Sequence, residues 1–288
     1  MKNRILTGGL IAAIYVTFIL LGIFVSRYFY DLLIVAIMLL AGLEMTKALG
    51  ARFAKPLAVA VVLLCLIGYA AFLIIEITVG GHGLTAFFVV MLVTALICYL
   101  ISLKGKIAKE RVLSTSFVLL YPVLILTYLL ALNYLVGDFR ITAILLAFLI
   151  SCFTDVFAFA VGITFKGPKL MPKVSPKKTI SGAIGGLLGG VGAALLVMLF
   201  AHNGWVHAVP LSGRFAFNLT HFLVIGLFGA VFTQAGDLIA SQVKRLCGIK
   251  DFGTILPGHG GAMDRVDGLM LNAVFIYAYI SILLLFVS

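Results

Sequence analysis

Residues 84–103, LTAFFVVMLVTALICYLISL, run for twenty positions without a charged side chain. That length lets an α-helix cross a hydrocarbon core of about 30 Å. Similar apolar runs recur on both sides, at roughly 6–25, 32–46, 56–77, 112–136, 141–165, 180–201, 218–240 and 268–287. With 63% hydrophobic and 11% charged residues among 288, the chain lacks the polar surface that a water-soluble domain needs. The expected fold is an all-α polytopic membrane protein with about nine transmembrane helices.

The net charge of +11 is distributed by loop. Eighteen of the 21 Lys and Arg residues fall on one side of the expected topology, in five groups: Lys2 and Arg4, Lys47 to Lys55, Lys104 to Arg111, Lys166 to Lys178, and Lys244 to Arg265. The other side holds only Arg27, Arg140 and Arg214. The positive-inside rule then puts the N-terminus in the cytoplasm and the C-terminus outside. A charge that sets topology in this way argues against a nucleic-acid partner. The first run is longer than a signal-peptide core and has no good small-residue cleavage site, so it is expected to be a retained span. Cys65, Cys98 and Cys152 lie in spans and Cys247 lies in a cytoplasmic segment, a distribution that predicts neither a structural disulfide nor a zinc site.

Two regions are expected. Residues 1–136 form an N-terminal scaffold of five spans, nearly devoid of internal acids except Glu44 and Glu76. Residues 137–288 form a catalytic region of four spans with polar cytoplasmic loops at 166–179 and 241–267. No internal repeat is evident, which counts against a transporter built on repeats. In SGAIGGLLGGVG, residues 181–192, Gly182, Gly186 and Gly190 form one bare ridge, and Gly185 and Gly189 form another. Close helix packing is expected there.

Four of the ten acidic residues crowd into Asp237–Asp267, in a stretch that includes SQVKRLCGIKDFGTILPGHGGAMDRVD from Ser241 onward. Asp237, Ser241 and Lys244 are spaced i, i+4 and i+7, with Arg245 next, so a continued eighth helix carries acid, hydroxyl and cations on one stripe. The bland alternative for Asp237 is an interfacial acid paired with a lysine. Gly248 can end that helix, and Lys250 to Gly261 then reads as a loop. His259-Gly260-Gly261 precedes an apolar helix starting near Ala262, where backbone N–H groups and the helix dipole suit a phosphate. Asp264 and Asp267, one turn apart, are poor neighbours for phosphate without a cation, and magnesium suits carboxylates that share it with phosphates and water. Asp155 lies inside the sixth span, about 10 Å short of the cytoplasmic edge, and is expected to face the bundle interior. Ser175-Pro176-Lys177-Lys178-Thr179, in a loop that also holds Lys166, Lys169 and Lys173, reads either as a topology signal or as a second phosphate cradle.

The stretch from Ser241 through Lys244-Arg245, Lys250-Asp251, His259-Gly260-Gly261, Asp264-Arg265 and Asp267 resembles the signature of the phosphatidate cytidylyltransferases, or CDP-diacylglycerol synthases. Ser175 to Thr179 resembles the same family's second motif. The sequence departs from that pattern at Ser181, where the family commonly has Glu, and at Val156 after Asp155, where it usually has Thr. The resemblance implies transfer of the cytidylyl group of CTP to phosphatidate, giving CDP-diacylglycerol and pyrophosphate, at the cytoplasmic face of the plasma (bacterial inner) membrane. It assigns Asp237, Ser241, Lys244, Arg245, Asp264, Arg265 and Asp267 to catalysis. Ser175, Lys177, Lys178, Thr179, Lys250, Asp251, His259, Gly260 and Gly261 fall to substrate binding. Two Mg2+ ions are expected on Asp237 and Asp264, with Asp155 a further candidate ligand and a monovalent cation left open. The expected partners are CTP, phosphatidate and membrane lipid, with a homodimer left open. The competing readings are a polyprenol kinase, an ether-lipid cytidylyltransferase and, in another class, an anion transporter.

Overall fold

The computed structural model describes residues 2–135, 139–255 and 260–287. It is a helical membrane protein. In chain order the helices are α1 (Lys2–Phe24), α2 (Arg27–Gly50), α3 (Ala58–Thr78), α4 (Gly83–Leu103), α5 (Lys109–Val118), α6 (Ile125–Leu132), α7 (Phe139–Phe165), α8 (Ile180–His202), α9 (Phe215–Leu246) and α10 (Met263–Val287). Among the described residues eight helices are long and apolar enough to cross a membrane, α5 and α6 counting as one, and Ala13–Phe24 of α1 adds a shorter apolar stretch. Within the fifth expected span, Leu119–Leu124 widens into a π-helical turn around Pro122, and Tyr121 leaves helical geometry. Proline has no N–H for the helical ladder, so a break at this point is expected.

Two compact units divide the chain. The first comprises Met1–Tyr134 and Val243–Val266, and the second comprises Leu135–Gln242 and Asp267–Ser288.

In the first unit α2 is the buried centre. Tyr30, Ile34, Met38, Ala41 and Met45 recur at helical spacing and are at most 1% exposed. Hydropathy ended this span at 32–46, but the helix runs from Arg27 to Gly50 and takes in two acids. Both are fully engaged in hydrogen bonds, which is how a buried charge is tolerated. The Asp31 carboxylate accepts from Tyr134 Oη at 2.6 Å, Asn133 Nδ2 at 2.8 Å and Tyr69 Oη at 3.1 Å. Glu44 belongs to the functional loop described below.

In the second unit the glycine ridges of α8 do what their spacing predicts. A Cβ on Gly185 would lie 2.5 Å from the Val161 side chain, and one on Gly189 would lie 2.7 Å from the Phe153 carbonyl. On the adjoining ridge, Gly190 is pressed by Ala230 of α9. Without side chains α8 approaches α7 and α9 at backbone distance, and dispersion contacts hold them there. A buried polar cluster ties the remaining helices: Asn272 Nδ2 donates to Ser151 Oγ and to the Ala147 carbonyl, each at 3.0 Å.

The segment 166–179, read from sequence as a loop, contains a two-stranded antiparallel hairpin. Strand β1 (Lys169–Met171) pairs with β2 (Ser175–Thr179), and the turn closes through Val174 N–H on the Met171 carbonyl at 3.1 Å. Five lysines and three prolines hid the ribbon. Pro168 precedes β1, Pro172 lies in the turn, and Pro176 lies in β2 on a ribbon edge where no ladder N–H is needed.

Candidate active site

The second unit encloses a cavity of about 680 Å3 at the end of α7. Asp155, Phe159, Gly162 and Ile163 line it from one face of α7, so one helical stripe supplies an acid, an apolar wall and a bare backbone position, and Lys166, just past the end of the helix, adds a cation. The chain then reverses through Lys166 (φ 52°) and Gly167 (φ 105°), both in the left-handed region. The hairpin folds back and adds Lys169, Leu170, Lys177, Lys178 and Thr179 to the lining, and Gln234 and Asp237 come from α9.

Local bonds fix this geometry. Thr179 caps α8, its Oγ1 accepting from Gly182 N–H at 3.1 Å. Ile180 N–H donates to the Pro168 carbonyl at 3.0 Å. The Ser181 hydroxyl donates to the Lys166 carbonyl and lies 3.1 Å from Thr179 Oγ1, so it ties the α7 reversal to the start of α8. Gln234 Nε2 donates to the Ala183 carbonyl at 3.1 Å, which holds α9 on α8.

Four lysines face two carboxylates in the cavity. Lys178 pairs with Asp237, both about a quarter exposed. Ser241, one turn further along α9, donates to Asp237 Oδ1 at 3.3 Å. An ion pair this accessible contributes only ~0.2–1 kcal/mol, so it can be exchanged for a ligand at little cost.

The polar loop of the first unit is organised by carboxylates. Lys244 is 9% exposed; its ammonium pairs with Asp264 Oδ1 at 2.9 Å and lies 5.3 Å from the centre of the Phe252 ring. Asp264 Oδ2 accepts from Phe252 N–H at 2.8 Å and from Gly261 N–H at 2.9 Å. The next two N–H groups, of Ala262 and Met263, donate to Glu44 of α2. The amides that the sequence offers to a phosphate at the start of α10 are therefore taken by side chains of the chain itself. Gly261 N–H, expected to face a phosphate, is bonded to Asp264. Glu44 lies 218 residues upstream of Ala262, beyond the reach of any local pattern.

The other expected site residues divide as follows. Asp237, Lys177, Lys178, Thr179 and Asp155 line the cavity, whereas Ser175 sits in β2 opposite Met171 and is not among the lining residues. Arg245, Lys250, Asp251 and Arg265 are exposed, and Arg245 also donates to the Ile249 carbonyl at 3.4 Å. Asp267 Oδ1 accepts from Gly268 N–H at 2.9 Å. Gly260 adopts φ 83°, a conformation that favours glycine, and His259 lies outside the described residues. Sequence reasoning missed Glu44, Gln234 and Gly162. Glu44 had a usable signal, because an acid within a membrane helix needs a partner.

Among the described residues no three His, Cys, Asp or Glu side chains gather into a metal cage. Magnesium does not need one, since it binds through one or two carboxylates and completes its shell with water and phosphate. Asp155 and Asp237, lining one cavity among lysines, fit that requirement. Asp264 fits it less well, because three donors already occupy its carboxylate.

Comparison with known proteins matches residues 2–283 to the cytidylyltransferase family. The chain is similar to the phosphatidate cytidylyltransferase of Brucella abortus biovar 1 (strain 9-941), with 42% identity over 154 residues, 52% of each chain. It is also similar to the proteins of that name from Rickettsia typhi (strain ATCC VR-144 / Wilmington), at 33% over 130 residues, and Mycobacterium tuberculosis (strain CDC 1551 / Oshkosh), at 30% over 132 residues. The Rickettsia match covers 45% of this chain and 54% of that one, and the Mycobacterium match covers 45% and 36%. The chain thus spans about half the length of the first of these curated relatives.

Proposed function

We propose, from the premise that this chain belongs to the cytidylyltransferase family, that it transfers the cytidylyl group of CTP to phosphatidate at the cytoplasmic face of the plasma membrane. The observation that carries the proposal is the cavity: four lysines and two carboxylates set against Phe159, Ile163 and Leu170 at one end of a membrane helix. A charged headgroup and an apolar wall are what a phospholipid substrate requires of a site.

In the reaction, a phosphate oxygen of phosphatidate attacks the α-phosphorus of CTP. The bond from that phosphorus to the β-bridging oxygen breaks, and pyrophosphate leaves with the electron pair. Both substrates are polyanions, so the main barrier is bringing them together in line. Lys166, Lys169 and Lys177 lower that barrier by neutralising phosphate charge, and Lys178 moves from Asp237 to a phosphate when substrate enters. Ser241 holds the orientation of the Asp237 carboxylate. Mg2+ on Asp237 and Asp155 would neutralise charge on the phosphates and the departing pyrophosphate. Lys244 and Asp264 hold the polar loop in shape, and a second ion at Asp264 would have to displace Lys244.

The test is purified protein with phosphatidate, magnesium and CTP labelled either in the cytosine or at the γ-phosphate. Cytosine label in the lipid with release of pyrophosphate supports the proposal. Transfer of γ-label to a polyprenol refutes it in favour of a kinase, and transfer only to an ether-linked lipid phosphate changes the acceptor.

A further inference from the structure

Glu44 lies within α2, 2% exposed, in the half of the chain that reads from sequence as scaffold. Its carboxylate spans two consecutive amides at the start of α10: Oε1 accepts from Ala262 N–H at 3.0 Å and Oε2 from Met263 N–H at 2.9 Å. A Cβ on Gly253 or on Gly261 would run into the same oxygens, so two glycines let the loop close over the carboxylate from both sides. Asp264 completes the arrangement by gathering Phe252 N–H and Gly261 N–H. Two carboxylates thereby pin both ends of the segment, near 252–253 and at 261–263.

We infer that Glu44 is a positioning residue for the transfer reaction: it closes the amide end of α10 against phosphate and fixes residues 252–253 and 261–263, which adjoin Lys250, Asp251, Asp264 and Arg265. The inference rests on the proposed cytidylyl transfer. A helix N-terminus ordinarily attracts anions. Here the chain supplies its own, and beside Glu44 and Asp264 a phosphate would be a third anion next to one buried lysine. Phosphate is therefore kept off the amides of α10, and the placement of Lys250, Asp251, Asp264 and Arg265 depends on how rigidly Glu44 holds 261–263.

Three variants test this in purified protein. Glu44→Gln keeps the volume and removes the charge. It should lower kcat/KM for CTP by at least about tenfold, leave KM for phosphatidate within about twofold, and make inorganic phosphate a stronger competitor of CTP as the amides open. Gly253→Ala presses the same carboxylate without altering any charge and should reproduce the pattern, which covers the case that Glu44→Gln does not fold. Glu76→Gln is the control. It removes a similar carboxylate from the N–H groups of Gly81 and Gly83 and should leave CTP kinetics unchanged. The inference is overturned if Glu44→Gln stays within about twofold for CTP, or if the Glu44 and Glu76 variants lose activity alike, the mark of general destabilisation. A readout without catalysis separates the two levels: lysyl endopeptidase should cut after Lys250 faster in Glu44→Gln than in wild type, and an unchanged rate rejects the clamp. If wild type transfers no cytidylyl group, the reaction is wrong, and the clamp is still judged by that rate.

Discussion

Replacing Asp237 and Asp264 separately with Asn should produce two different failures. Asp237 is about a quarter exposed, paired with an equally accessible Lys178 and bonded by Ser241 at 3.3 Å. The Asn variant loses an ion pair worth no more than ~1 kcal/mol, so folding survives. If the carboxylate helps hold magnesium, turnover falls by at least ~100-fold, about 2.7 kcal/mol of transition-state stabilisation. At Asp264 only 4% of the side chain is exposed, and its two oxygens serve Lys244, Phe252 and Gly261. With its oxygen in the place of Oδ2, Asn can still accept from both amides, but its NH2 then faces the Lys244 ammonium, and the carboxylate that balanced that buried charge is gone. Breaking a buried pair from one side costs about 3–5 kcal/mol, which for a chain of this size lowers the melting midpoint by on the order of 10 °C. The assays are thermal unfolding of monodisperse protein and cytidylyl transfer against magnesium concentration. An Asp237→Asn variant with near-full activity and unchanged magnesium dependence would refute the cavity assignment. An Asp264→Asn variant as stable as wild type would refute the buried clamp.

Other outcomes are as specific. In a cysteine-free background, single cysteines in 166–179 and 244–255 should label from the cytoplasm and those in 203–214 from outside; labelling of 203–214 and 244–255 from one side would break the topology read from charge. Ser181→Glu removes the hydroxyl that bridges Thr179 and the Lys166 carbonyl, yet the position is partly exposed. Activity should stay within roughly tenfold, about 1.4 kcal/mol in the barrier, and complete loss of CTP binding would show that the α8 start tolerates no carboxylate. Gly185→Leu should abolish folded yield because even a Cβ there meets Val161 at 2.5 Å, whereas Gly192→Ala, with nothing within 4 Å, should express normally. Equal yields would refute the packing of α8 against α7.

By itself the sequence determined the membrane class, the approximate spans and the stripe on α9, since hydropathy and the 3.6-residue repeat are local properties that the lipid solvent enforces. The bare ridges of α8 were legible for the same reason: glycine at every fourth position has one main use in a membrane helix. The motifs at 175–179 and 241–267 marked where charge gathers, but not which charge meets which. Tertiary structure alone decided that Lys244 pairs with Asp264, that Lys178 pairs with Asp237, and that Asp155 and Asp237 line one cavity. It also turned a lysine-rich loop into a hairpin and made Glu44 the cap of a helix that begins more than two hundred residues later. Such pairings are set by distance and burial. A carboxylate taken out of water must find donors wherever the packed chain presents them, and no spacing along the chain records where that is.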